Sequence, residues 1–123
     1  MGKFLMLATG LLLAAGSAHA DDQAEPDKGC DGSTYEMVEC LKAKADFWDK
    51  RLNAAYRKAL NGAQSKQRDQ LRKAQRLWVQ YRDANCLYWD LGEGTIARIE
   101  AGDCMYRMTK DRAQELEGAG ERN

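Results

Sequence analysis

Apolar residues recur at alternating steps of three and four along two stretches of this chain. The first stretch has them at Val38, Leu41, Ala45, Trp48, Leu52 and Ala55, and the second, with one polar member, at Leu71, Ala74, Trp78, Tyr81, Asn85 and Tyr88. This spacing places the side chains on one face of a helix and is typical of antiparallel helices that pack like a coiled coil. The sequence therefore predicts an all-α fold built on a long antiparallel helical hairpin.

Signals for helix ends flank both stretches. Ser33-Thr34-Tyr35-Glu36 has the pattern of a capping box, so a first helix should run from there to about Leu60, before the stop signal Asn61-Gly62. Ser65 is a candidate cap for a second helix over Gln67–Trp89, which Gly92-Glu93-Gly94 should end. Folding the chain at residue 63 would then place Trp48 opposite Trp78.

A hairpin alone leaves several apolar residues uncovered, and these call for a third layer: Phe47, Tyr56, Leu60, Leu77, Leu87 and Leu91. We expect that layer to be a shorter C-terminal helix, capped by Asp103 and carrying Met105, Met108, Arg112 and Leu116, with Thr95–Ile99 forming one separate helical turn. Gly118 and Gly120 should fray its end. The predicted organisation is a signal peptide (1–20), a polar lead-in (21–32), one helical domain (33–117) and a flexible tail (118–123).

Four cysteines predict two disulfides: Cys30, Cys40, Cys86 and Cys104. An even count in a small exported chain is typical of a disulfide framework, and the spacings do not bring ligands in the close pairs of a zinc site. If the two predicted helices lie antiparallel about residue 63, Cys40 and Cys86 lie at the same height along the hairpin. Neither, however, is among the apolar residues of the face where the two helices are predicted to pack. This favours the local pairs Cys30–Cys40 and Cys86–Cys104, while Cys40–Cys86 with Cys30–Cys104 remains the alternative.

The first twenty residues have the pattern of a secretory signal peptide. Lys3 precedes an apolar run from Phe4 to Ala15, and Ala18-His19-Ala20 supplies the small residues of a cleavage site. The run is too short to span a membrane, which takes about 20 residues. No cysteine follows Ala20 directly, so we expect no lipid attachment, no membrane insertion, and a periplasmic or secreted product.

Several function classes are disfavoured. Nineteen Lys and Arg balance nineteen Asp and Glu, which argues against a strongly basic nucleic-acid binder. Cleavage would also remove His19, the single histidine, and with it histidine acid–base catalysis. The sequence lacks a Gly-rich phosphate loop, a nucleophile elbow and metal-ligand spacing. We therefore expect no enzyme activity, no cofactor and no metal. A basic run on the second helix is interpreted as a solvated face: Lys66, Arg68, Arg72, Lys73 and Arg76.

A further set of residues, from Cys30 to Leu116, resembles a known family: Glu39-Cys40, Leu52-Asn53, Tyr56, Leu71, Gln75, Trp78, Tyr81-Arg82-Asp83, Cys86, Cys104, Thr109 and Arg112. The pattern is similar to that of the LprI-type lysozyme inhibitor family, small exported bacterial domains named after a lipoprotein. The resemblance implies a binding protein that inhibits lysozyme-type muramidases by occluding their cleft. The alternative is a structural or protein-interaction module of the bacterial cell envelope without such activity; the oligomeric state is left open.

The segment from Asp90 to Asp103 is the candidate binding loop, with Trp89, Asp90, Glu93, Glu100 and Asp103 as its candidate contacts. A Cys86–Cys104 bridge would pre-organise it, and its acidic side chains suit the cleft of a basic muramidase; the alternative is a solvated connector.

Structural roles are expected for Trp78 and Tyr81 in the core. Arg82-Asp83 should pin the hairpin to the C-terminal helix, and Arg112 should pack its stem and meet a carboxylate.

Overall fold

A computed structural model describes residues 24–26 and 29–122 of the chain. This part contains three helices, α1 (Thr34–Gly62), α2 (Ser65–Asp90) and α3 (Ile96–Glu121), and no strand. The all-α class is therefore confirmed. None of the described helices is long and apolar enough to cross a membrane. The predicted signal peptide lies outside the described residues.

The start of α1 is the predicted capping box. Ser33 Oγ accepts a hydrogen bond from the Glu36 backbone N–H at 3.3 Å, and the Glu36 carboxylate accepts one from the Ser33 N–H at 2.8 Å. The cap of α2 differs from the prediction, because Gln64 rather than Ser65 is its N-cap. Gln64 N–H donates to the Gln67 side chain at 3.2 Å, an amide pair that takes the place of a Ser or Asp cap.

The turn between α1 and α2 is closed by one arginine. Arg68 donates to the carbonyl oxygens of Leu60 at 3.1 Å and Ala63 at 3.0 Å. Leu60 O also accepts the backbone N–H of Ala63 at 3.3 Å, so the arginine adds to the cap at the end of α1, where a cation also suits the helix dipole. The predicted reversal near residue 63 is thereby confirmed.

The third helix is longer than the sequence predicted. It has 26 residues, as many as α2, and Asp103 lies inside it rather than at its cap. The expected separate turn at Thr95–Ile99 is the N-cap and first turn of α3. α3 continues through Gly118 and Gly120 to Glu121, and a Cβ built on Gly120 would lie 3.7 Å from Lys58 Cδ of α1.

Helix α3 lies between the other two helices. It packs along α1 and also along α2, whereas α1 and α2 touch each other at few points. The prediction that α1 and α2 form the main helix–helix contact is therefore wrong. α1 and α3 run parallel, since Gly102 lies against Leu41 and Gly120 against Lys58. Small residues on α3 allow this close approach, and the chain reaches it by using α2 as the return connection.

The core forms where α3 meets α1. Its buried members are Trp48, Leu52, Ala55, Ala113 and Leu116, with Phe47, Tyr56, Leu71, Trp78 and Tyr106 packed against them. Trp48 and Trp78 thus share one cluster, although their helices touch little. Leu77, Leu87 and Leu91, for which we expected cover, are exposed at 55%, 53% and 75%. The physical reason is that α2 packs mainly on α3 and meets α1 at few points, so its far side has no neighbour among the described residues.

Both disulfides have the favoured local pairing. Cys30 bonds to Cys40 and Cys86 bonds to Cys104, each with a Cα–Cα distance of 5.5 Å. The alternative, Cys40–Cys86 with Cys30–Cys104, is excluded. The first bridge ties the lead-in to α1, and the second ties α2 to α3.

The lead-in is also held by a half-buried polar contact that the sequence did not suggest. Glu25 accepts hydrogen bonds from the Tyr106 hydroxyl and from Lys110 Nζ, the latter at 3.0 Å. Burial raises the pKa of Glu25, but these two donors outweigh it and hold the pKa below its usual range. The buried Trp48 indole N–H lies outside hydrogen-bond geometry but adds to the same electrostatic stabilisation.

Candidate functional site

The end of α2, the turn after it and the start of α3 form a projecting corner, which we call the α2–α3 corner (residues 88–100). The turn itself is short, covering Leu91–Thr95. Leu91 N–H bonds to Leu87 O at 3.0 Å and Gly92 N–H to Trp89 O at 3.1 Å. Gly94 has φ +77°, a conformation that L side chains rarely adopt. The long loop predicted from Asp90 to Asp103 is therefore wrong: its ends belong to α2 and α3.

A covalent bridge supports the corner from behind. Cys86 and Cys104 are both buried, and their disulfide closes a sequence separation of 18 residues around the turn. Two helices joined by a short turn and a bridge leave the exposed side chains little backbone freedom. A surface held in this way loses less conformational entropy when it binds a partner.

The corner exposes an aromatic pair. Tyr88 is 70% exposed and Trp89 is 41% exposed, and their rings meet edge to face with centroids 5.2 Å apart. They line a shallow cavity of about 350 Å³ together with Leu91, Gly92 and Glu100. Exposed aromatic residues of this kind are common anchors in protein–protein interfaces.

The charges of the corner are mostly negative. Asp90, Glu93 and Glu100 are exposed and make no ion pair within the described part of the chain, and the same holds for the single cation, Arg98. Asp103 behaves differently: it lies on α3, half-buried, and pairs with Arg107 at 2.8 Å. The structure therefore brings Trp89, Asp90, Glu93 and Glu100 to the corner and leaves Asp103 outside it.

A larger groove opens beside the corner. It has a volume of about 530 Å³ and lies between α1 and α3, with Asp90 and Arg98 of the corner among its lining residues. Most of its wall is apolar, from Val38, Ala45 and Met105 among others. This groove was not predicted from the sequence, although a C-terminal helix covering the hairpin was, because apolar spacing does not show where two packed helices leave a gap. The corner thus combines a projecting edge with two adjacent concavities.

The residues expected to be structural lie away from the corner. The Arg82 guanidinium pairs with Asp83 at 2.9 Å and approaches Asp49 of α1 at 4.0 Å, so the pair faces α1 rather than the C-terminal helix. Arg112 donates to Gln75 at 3.1 Å and pairs with Glu115 at 2.7 Å.

Aromatic residues of α2 differ in their surroundings. Trp78 is half-buried and lies near both Arg82 and Arg112, with the guanidinium carbons 5.1 Å and 6.0 Å from its ring centroid. Tyr81, in contrast, is 62% exposed, so its expected place in the core is wrong.

The balanced net charge of the chain hides a strong polarity. Residues 57–82 carry eight Lys or Arg and one Asp, a local net charge of +7. Residues 83–103 carry five Asp or Glu and one Arg, a local net charge of −4. Because α2 spans this boundary, it leads from a basic half to an acidic end. Charge counted by segment, rather than over the whole chain, would have shown this from the sequence.

Comparison with known proteins relates this architecture to one family. The model of the family described as lysozyme inhibitor LprI matches residues 26–116, which include both disulfides, all of α2 and the whole corner. The chain belongs to the LprI family. No curated protein and no solved structure matches it. Membership in the LprI family agrees with the resemblance carried by the cysteines and the Gln-x-x-Trp-x-x-Tyr-Arg-Asp motif, and its two disulfides fit an exported protein.

Proposed function

We propose that this LprI-family protein inhibits lysozyme-type muramidases by placing its α2–α3 corner in the substrate cleft of the enzyme. Inhibition would occur by occlusion, with no bond made or broken by the inhibitor. The observation that carries the proposal is the bridged corner, which exposes an aromatic pair and three carboxylates that make no ion pair with any residue the structure describes. A family of lysozyme inhibitors supplies the class of partner.

Charge supports this choice of surface. Muramidases of the basic kind present cations around a cleft that must bind a long sugar chain, and a cluster of unpaired carboxylates is complementary to them. The basic half of α2 would be repelled by the same enzyme. The polarity of α2 therefore orients the approach, so that the corner rather than the α1–α2 turn leads.

The proposed export supports the same function. The leader-like residues 1–20, the two disulfides and the family all suit a protein that meets muramidases in the periplasm or outside the cell. We propose that the leader is removed after Ala20. The intact mass of the protein recovered from the exported fraction of an expression host measures this directly. A mass that retains residues 1–20 would contradict it.

The test is hydrolysis of a peptidoglycan suspension by a c-type and a g-type lysozyme, with the oxidised, exported protein added at micromolar excess. We expect turnover to fall for at least one class. The corner variant neutralises three carboxylates, and the control variant makes the same charge change elsewhere: Asp90→Asn, Glu93→Gln and Glu100→Gln against Asp69→Asn, Asp111→Asn and Glu121→Gln. The corner variant should lose inhibition at least tenfold, while the control retains it.

Two results would overturn the proposal. Undiminished turnover of both enzyme classes by the unmodified protein would remove the function. Equal loss of inhibition in the corner and control variants would keep the function but remove the corner as its surface.

A further inference from the structure

Helix α2 carries an apolar stripe that faces away from the rest of the protein. We call Leu77, Tyr81, Ala84, Tyr88 and Leu91 the outer stripe of α2. Its large members are exposed at 55%, 62%, 70% and 75% in chain order, and Ala84 is exposed as well. The steps of four, three, four and three residues keep these side chains on one face over about four helical turns.

The outer stripe is opposite to the face with which α2 packs. Gln75 and Cys86 are the buried residues of this helix. At about 100° per residue, Ala84 lies about 180° around the helix from Gln75, and Tyr88 about 200° from Cys86. α2 is therefore apolar on two opposite sides, whereas a helix at the surface of a monomer usually has one apolar side. A contiguous exposed patch of this kind marks an interaction surface.

The pattern of the outer stripe is self-complementary under a two-fold rotation to within one residue. If two copies of α2 lie antiparallel and cross at Ala84, Leu77 of one copy is level with Leu91 of the other. Tyr81 is level with Leu87, and Tyr88 with Gln80, so each tyrosine lies one residue from the stripe tyrosine of the other copy. The small side chain at the crossing point lets the two helix backbones approach closely. Most soluble homo-oligomers are two-fold dimers with this isologous kind of interface.

Charge complementarity favours the same arrangement. The antiparallel crossing brings the basic half of one α2 towards the acidic corner of the other, a local +7 against a local −4. Lys73 of one copy is level with the turn that carries Glu93 in the other. A parallel arrangement would instead oppose like charges, which is unfavourable.

We propose that a second copy of this chain covers the outer stripe, forming an antiparallel α2–α2 dimer around Ala84. This goes beyond muramidase inhibition and does not depend on it. Because Tyr88, Leu91 and Glu93 belong to both surfaces, the monomer is the form that enters a muramidase cleft, and dimer and enzyme complex exclude each other. The two tyrosines and two leucines offer roughly 500 Å² of exposed apolar surface per copy, against about 800 Å² per partner in a typical stable interface. The dimer is therefore reversible and forms in the micromolar range.

The test is sedimentation of the oxidised protein, purified from the exported fraction, over about 1–500 µM. The unmodified protein should shift from monomer to dimer across this range. Tyr81→Glu places a charge in the outer stripe and should raise the dimer dissociation constant at least tenfold. The matched control is Tyr35→Glu, which introduces the same charge at another exposed tyrosine, 73% exposed at the start of α1, and should leave the constant unchanged.

Charge reversal tests the antiparallel geometry. Lys73→Glu and Glu93→Lys should each weaken the dimer. The double variant should restore it, because the two symmetry-related contacts of the interface then again join opposite charges. Circular dichroism of every variant should show unchanged helix content, so that loss of the dimer is separated from loss of the fold.

Three results would overturn the proposal. A monomer at every concentration would do so, as would a dimer that Tyr81→Glu leaves intact, since another face would then form it. A monomer whose Tyr81→Glu variant loses binding to a muramidase would assign the outer stripe to the enzyme instead of a second copy.

Discussion

Replacing Gly102 by alanine probes the close contact between α1 and α3. In a helix interior, Gly→Ala alone stabilises by about 1 kcal/mol, because it reduces the freedom of the unfolded chain. At Gly102, however, the added Cβ would lie 3.3 Å from Leu41 Cβ and 3.4 Å from its Cδ1. The first of these atoms is fixed to the α1 backbone, so the helices must separate slightly, and overpacking of this kind costs about 1–3 kcal/mol. We expect Gly102→Ala to destabilise by about 0–2 kcal/mol.

Gly118 provides the matched control on the same helix. A Cβ there would meet Arg122 Nη1 at 3.8 Å, the flexible end of an exposed side chain. Gly118→Ala should therefore keep the helical gain and stabilise by about 0.5–1 kcal/mol, being close to the end of α3. The changes in the free energy of unfolding, measured by urea denaturation at pH 7, should differ by at least about 0.5 kcal/mol, with Gly118→Ala the more stable variant. Equal stabilisation by both substitutions would show that α1 and α3 do not approach at Gly102.

Three other substitutions test the contacts that hold the helices together. Glu25→Gln should destabilise by about 1–2 kcal/mol at pH 7. Since the folded pKa of Glu25 is lowered, this loss of stability is present above the ordinary pKa of 4.5 and should vanish as pH falls through the folded pKa. A stability difference that urea denaturation finds to be independent of pH would contradict this. Replacing Cys86 and Cys104 together by alanine should cost about 3 kcal/mol in the same assay, because the bridge closes a loop of 18 residues; a loss below about 1 kcal/mol would disagree. Gln75→Leu should cost about 1–3 kcal/mol by removing the acceptor of Arg112 Nε, whose side chain is 11% exposed, and an unchanged thermal midpoint would refute this.

Local signals in the sequence predicted the local structure well. The capping box at Ser33, the end of α1 at Gly62 and both disulfides follow from residues that are near one another in the chain. Each of these features depends on hydrogen bonds or bridges within about 20 residues. Composition and periodicity also predicted the all-α class, because a three-four spacing has a single regular interpretation.

The partners of the helices could not be predicted in the same way. Two apolar stripes can be aligned in more than one register, and spacing does not show which helix each stripe contacts. The packing face of α3 was hard to recognise because its residues Ala97, Gly102 and Ala113 are small. Small residues indicate close packing only once the neighbouring helix is known. The exposed Tyr81 and Tyr88 had the same spacing as core residues, so periodicity alone could not separate a core face from an interaction face.

The candidate site was found in part from the sequence. Trp89 and Glu100 line one cavity, because the predicted bridge and the glycine-rich turn bring the end of α2 and the start of α3 to one corner. Asp90 lines the neighbouring groove, and Glu93 lies on the turn between the two helices. Asp103 was included only because α3 was expected to begin there. The groove beside Asp90 and Arg98 could not be predicted, since it depends on where α1 and α3 separate along their contact, which apolar spacing does not show.

Hydrogen–deuterium exchange of this protein, with and without an excess of a muramidase that it inhibits, tests the central claim most directly. The side chains proposed to enter the cleft lie on residues 88–100, so backbone amides there should gain protection in the complex. The basic residues 57–76 should exchange as in the free protein. Protection confined to residues 57–76, with none at the corner, would contradict the account.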